Sequence, residues 1–119
     1  MATQFTQHCP DTIDDAVNIL FADLTPDETK LIEEADAGMA MFHHSFGRAM
    51  RNGWQLWLPE CPLHQWFKRE YGLEHADDMS GMILKALRCR VVGAAFDGAK
   101  QAKIYHDHWE KMRSNGLND

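Results

Sequence analysis

The chain has 119 residues, 45% of them hydrophobic and 25% charged, with a formal net charge of −6. That length suits one domain able to bury a core without requiring disulfides or metal, and the composition excludes a disordered or fibrous chain. The charge is unevenly placed: residues 1–40 carry nine acids against one base, Lys30, whereas residues 41–119 carry nine acids and eleven bases.

At the front, Met1 to His8 shows no basic segment followed by an apolar run, so no secretory leader is expected, and no stretch approaches the ~20 apolar residues of a membrane span. Ile13, Ala16, Val17, Leu20, Phe21 and Leu24 fall on one side of an amphipathic helix, with Asp11 or Thr12 available to cap it. Thr25-Pro26-Asp27-Glu28 reads as a capping box opening a second helix, with Thr25 at the N-cap and Glu28 reaching back. On that helix Leu31, Ile32 and Ala35 are expected inward and Glu33, Glu34 and Asp36 outward. Both helices carry acids on their wet faces.

Met39, Phe42, Phe46, Ala49 and Met50 continue at helical spacing, Gly38 marks a break or a kink before them, and Asn52-Gly53 ends the run. Trp54 to Pro62 is a loop, Pro59 and Pro62 excluding regular structure around Cys61. A short aromatic helix from Leu63 to Tyr71 closes at Gly72. His75 to about Val92 is the third strong helix, with Asp77 and Asp78 in its first turn and Lys85, Arg88 and Arg90 toward its end, complementing the macrodipole. A last helix runs from about Asp97 to Ser114 with Ile104, Tyr105, Trp109 and Met112 as its apolar side, and Gly116 lies past its end. It covers its own bundle or packs on a second copy in a homodimer. No useful period-2 alternation occurs. The expected fold is all-α, a single-domain bundle of five to six helices over 1–119.

Cys9, Cys61 and Cys89 cannot all pair within the chain, and no CxxC spacing occurs, so free thiols in a reducing compartment and a cytoplasmic protein are expected. Seven histidines invite a metal reading. However, His106 and His108 point about 200° apart on a helix and His43 and His44 about 100° apart. A site would need His43 or His44 to meet His75 and an acid such as Asp78 across the bundle; no metal and no cofactor is assigned. His75 to Gly81 crowds an imidazole, two carboxylates and a hydroxyl at a helix start, which suits capping, or a division of acid and base roles between Asp77 and Asp78. No nucleophile motif accompanies it. Gly47 suggests a close helix approach filled by Trp57 or Trp66. Arg48 and Arg51 share a face and pair with Asp77 and Asp78, or grip a partner's carboxylate or phosphate.

The segment Phe42-His43-His44-Ser45-Phe46-Gly47-Arg48, continuing through Arg51, Asn52, Trp54 and Trp57, and the later His75-Ala76-Asp77-Asp78-Met79-Ser80 carry a resemblance. Together they resemble a family of small uncharacterised bacterial and phage domains with a His-Gly-Arg-Asn-Trp-Leu-Trp segment and a later His-x-Asp-Asp-Met-Ser segment. The resemblance spans roughly residues 10–95. The chain departs from it at Gly53, Gln55 and Ala76 and by an added C-terminal helix at 96–119. It implies one domain and supplies no activity.

The lopsided charge acts on charged partners at a distance and says nothing about fold. Exposed helices need charge for solubility, which explains the acids without any partner. The sharper expectation is a non-enzymatic module whose Asp11, Asp14, Asp15, Asp27, Glu28, Glu33, Glu34 and Asp36 imitate a phosphate backbone. Such a module would occupy the basic surface of a nucleic-acid-binding protein. Small acidic helical proteins of this kind are similar in type to phage-encoded inhibitors of host defence such as anti-CRISPR proteins. The alternative is a metal- or carboxylate-dependent enzyme using His43, His44, His75, Asp77 and Asp78. Direct nucleic-acid binding through bases between Lys85 and Arg113 is opposed by the overall acidity, and no membrane partner is expected.

Overall fold

Thr12, rather than Asp11, caps the first helix, α1 (Ile13–Asp23): its hydroxyl accepts the Asp15 amide at 3.1 Å. The computed structural model describes residues 9–36 and 39–115, so the expectations placed on Gly38 and Gly116 lie outside the described residues. The capping box forms as the sequence requires. Thr25 accepts the Glu28 amide at 3.1 Å, the Glu28 carboxylate accepts the Thr25 amide at 2.9 Å, and α2 (Pro26–Glu34) follows.

The stretch after Met39 departs from the single helix its spacing suggests. It is a 3-10 turn (Ala40–Phe42), a π-helical turn (His43–Gly47) and only then α3 (Arg48–Gly53). A π turn adds a residue per turn and shifts the side chains that follow. Phe42 and Met50 therefore stay buried, whereas Phe46 is half-buried and Ala49 faces solvent. Gly47 does admit a close neighbour, but neither Trp57 nor Trp66. A Cβ there would stand 3.0 Å from Arg51 Nη1 and 3.6 Å from Leu84 Cδ1. In the loop that follows, Trp54 and Leu56 are buried and Trp57 is 49% exposed. Pro62 does not interrupt structure. It is the first residue of α4 (Pro62–Tyr71), a position where the missing N–H costs nothing, and Gly72 closes that helix at φ 67°.

α5 (Ala76–Val92) is the axis of the bundle. Met79, Ser80, Met82, Ile83, Leu84, Ala86 and Leu87 are buried around it, and α1, α2, the π turn, α3, α4 and α6 (Gly98–Asn115) all touch it. Leu20 from α1, Ile32 from α2, Met50 from α3 and Leu63 and Phe67 from α4 complete the core. Each such side chain contributes roughly 1.5–3 kcal/mol on burial. The described residues form six α-helices and no strand, as an all-α bundle requires.

Besides Ala49, four apolar positions expected inward are exposed: Phe21 at 39%, and Leu31, Ile104 and Met112, for which the reason is how little of each helix is covered. α2 buries only Ile32 and Ala35, so Leu31, about 100° away, is 50% exposed. α6 docks through the narrow stripe Gly98, Ala102, Tyr105 and Trp109. Ile104 stands off that stripe at 52% exposure, and Met112, one turn past the contact of Trp109 with His75, is 46% exposed. Tyr105 and Trp109 face α5, so α6 covers its own bundle.

Candidate functional site

The residues singled out by the sequence divide between exposed helix faces and one cleft. Asp11, just ahead of α1, Asp14 and Asp15 in its first turn, and Asp27, Glu33 and Glu34 on α2 are each exposed. Glu28 and Asp36 have backbone duties as well: Glu28 closes the capping box, and the Asp36 carboxylate accepts the Met39 amide at 3.0 Å. Two arginines of α5 reach these helices and donate to neutral acceptors. Arg88 Nε gives its hydrogen to the Ala35 carbonyl at 3.1 Å. Arg90 Nη1 donates to Asn18 Oδ1 at 2.9 Å, with its guanidinium 4.8 Å over the Phe21 ring. Phe21 and Leu31, on the same two helices, are 39% and 50% exposed.

The cleft is open, about 400 Å³ in volume, and lies between the π turn, α5 and α6, floored by Met39 and Leu84. His43, His44, Asp77, Asp78, Lys85 and Tyr105 line it. The widened π turn aims both histidines at it, their ring centroids 5.1 Å apart at 80°. Arg51 braces the wall. Its Nε pairs with Asp77 at 3.3 Å, Nη1 donates to Ser80 Oγ at 2.8 Å and Nη2 to the His43 carbonyl at 3.4 Å, while Ser80 donates to the Asp77 carbonyl at 3.1 Å. Arg48, by contrast, faces solvent. Asp78 has no arginine among its described contacts; it accepts the Trp109 indole N–H at 2.7 Å. His75 stacks on that indole with centroids 4.0 Å apart and lines a neighbouring recess with His106 and Arg113, so it stands outside the cleft that holds His43 and His44.

The electrostatics of the cleft follow from partial burial. Burial, reinforced by the Arg51 charge, holds the His43 imidazole below its ordinary value and outweighs the opposing pull of Asp77, so the folded state favours the neutral ring. Burial also lowers the Lys85 ammonium, with the Asp78 charge opposing. Tyr105 is pushed up to about 12 by burial and by Asp78, and its hydroxyl accepts from Lys85 Nζ at 3.1 Å. Such groups can bind a small polar molecule or pass a proton. Among the described residues no cluster of three or more histidine, cysteine, aspartate or glutamate side chains could hold a metal ion.

Sequence reasoning missed Lys85 and Tyr105 as cleft residues. Their meeting depends on Gly81, where a Cβ would come within 2.8 Å of the Tyr105 hydroxyl. A glycine inside a strong helix, with a tyrosine on the next one, is the signal that could have found it. Gly98 works in the same way, its missing side chain leaving room for the Tyr71 hydroxyl. No curated protein and no solved structure matches the chain. Residues 9–91 match the model of a family described as a domain of unknown function (DUF6794), and the chain belongs to that family.

Proposed function

We propose that the chain is a non-enzymatic protein-binding module that acts in the cytoplasm as a small acidic inhibitor of a nucleic-acid-handling complex, of the phage anti-defence, anti-CRISPR type. Its partner is a protein with a basic nucleic-acid-binding surface. Asp11, Asp14, Asp15, Asp27, Glu33 and Glu34 meet that surface, while Glu28 and Asp36 also hold the backbone that presents them. One observation supports this reading above the others: these acids are exposed, and the nearby arginines Arg88 and Arg90 donate to neutral acceptors. An attraction of this kind is screened over about 8 Å at physiological salt, so the complex weakens as salt rises.

The test is retention of lysate proteins, from the cell that makes the chain, on the immobilised protein. Retained proteins are expected to elute with salt and to be displaced by duplex DNA. The triple reversal Asp15→Lys, Glu33→Lys, Glu34→Lys abolishes retention while leaving the helical circular dichroism spectrum intact. Retention that survives the reversal removes the acidic surface from the account.

A second reading has its own observation: His43, His44, Asp77 and Asp78 line one cleft with Lys85 and Tyr105. That set suits an enzyme using carboxylate and imidazole groups. A hydrolase panel tests it. Turnover that disappears in His43→Gln would replace the inhibitor reading.

A further inference from the structure

Outside the cleft, and close to Asp11, two thiols distant in sequence meet. Cys9, just ahead of α1, and Cys61, the N-cap of α4, have their sulfur atoms 3.4 Å apart. Cys61 Sγ also donates to the Trp54 carbonyl at 3.3 Å, and Cys9 Sγ lies 4.0 Å from the same oxygen. Cys61 is buried and Cys9 half-buried, so Cys9 is the more accessible of the two. The third cysteine, Cys89, sits on α5, and it lines recesses with Asp14, Arg90 and Phe96 where no other cysteine stands. A disulfide bond is about 2.05 Å long. The two sulfurs therefore need to close by little more than an ångström, a movement within reach of side-chain rotation.

We infer that Cys9 and Cys61 are a modification site, a dithiol that closes reversibly into a disulfide and clasps the segment before α1 to the start of α4. The oxidant is a small-molecule disulfide such as oxidised glutathione. The Cys9 thiolate attacks one sulfur of the glutathione disulfide, forming a mixed disulfide and expelling one glutathione thiolate. The Cys61 thiolate then attacks the Cys9 sulfur, the second glutathione leaves, and the protons lost from the two protein thiols are taken up by the two departing thiolates. One protein disulfide is made for one glutathione disulfide consumed, with two electrons passed outward. Burial and the neighbouring Cys61 thiol push Cys9 up to about 11, so the first attack is slow near neutral pH and accelerates in mild alkali. In a reducing cytoplasm the clasp stands open, and an oxidising shift closes it. Neither reading of function is needed for this inference.

The bond joins residues 52 positions apart, a long loop whose closure constrains the unfolded chain strongly. A rise in melting temperature on the order of 10 °C is expected on oxidation. The experiment incubates the full chain with oxidised glutathione at about pH 8.5 and counts thiols in denaturant with Ellman's reagent. The count falls from three to one, the mass drops by two hydrogens, and a peptide map links Cys9 to Cys61. Excess reduced glutathione restores all three thiols. Cys61→Ser stops the reaction at the mixed disulfide on Cys9, and the wild-type thiol count decides the matter even if that variant folds poorly. Three thiols remaining, a stable glutathione adduct on the wild type, or a bond that includes Cys89 would overturn the inference.

Discussion

The front of the molecule and its rear are attached to the same axis by different chemistry. α1 and α2 grip α5 mainly through apolar side chains, Ile13, Ala16, Val17, Leu20 and Ile32, with hydrogen bonds from Arg88 and Arg90 to neutral acceptors beside them, and direct most of their charge outward. The π turn, α3 and α6 grip α5 through polar pairs: Arg51 with Asp77 and Ser80, Trp109 with Asp78, Lys85 with Tyr105. The difference separates charge that the fold consumes from charge left over. A carboxylate that accepts an indole N–H is committed to holding a helix; one that faces water on α2 is free to meet a partner. Acid count alone would therefore rank Asp78 and Glu33 as equals, and the contacts do not.

Arg51→Met, which keeps most of the apolar stem and removes the charge, should have the largest effect on the rear. The Arg51 side chain is 13% exposed whereas Asp77 is 70% exposed, so the ion pair itself is worth little. The cost comes from stripping donors off the buried Ser80 hydroxyl and the His43 carbonyl, about 2–3 kcal/mol in urea unfolding. A loss below about 0.5 kcal/mol would mean that the rear is held by packing after all, like the front.

Thr25→Ala probes the front on its own terms. It removes one half of the capping box, and a cap of this kind contributes about 1 kcal/mol. Because α2 buries little besides Ile32, the loss should show as fraying of α2, with faster amide exchange confined to Thr29 through Glu34. Exchange that accelerates equally in α5 would show that the front and the axis unfold as one unit.

Local signals account for what the sequence made legible. The Thr12 and Thr25 caps, Pro26 at the start of α2, Gly72 after α4 and the acids of α5's first turn all act within four residues, and each element they bound is present. The illegible parts depend on partners far along the chain. Whether Leu31 or Ile104 is covered is decided by how narrow a stripe the neighbouring helix reaches, which periodicity does not encode. The π turn arises where Gly47 lets the Arg51 guanidinium pass toward Ser80, 29 residues away from Arg51. The acids of the candidate surface were legible because charge is written in composition. The Lys85–Tyr105 pair and the Cys9–Cys61 contact were not, because they join residues 20 and 52 apart.

The smallest effect sharpens the contrast most finely, because it reads the rear network through one proton. Burial and the Arg51 charge hold His43 below the ordinary 6.5, so the folded state favours the neutral ring. By linkage, the stability that His43 contributes is present above pH 6.5 and is lost as the pH falls through its lowered folded-state value. Asp77, Asp78 and His44 also face this ring, the first two opposing the shift, and partial exposure screens it, so the slope is shallow. Urea midpoints measured from about pH 7 down to about pH 5 should fall in the wild type and flatten in His43→Gln. Arg51→Met should flatten them in part, since it removes the second cause of the shift and leaves the first. An undiminished slope in His43→Gln would move the acid sensitivity elsewhere, whereas an undiminished slope in Arg51→Met alone would leave burial and His44 as the causes and uncouple Arg51 from the cleft.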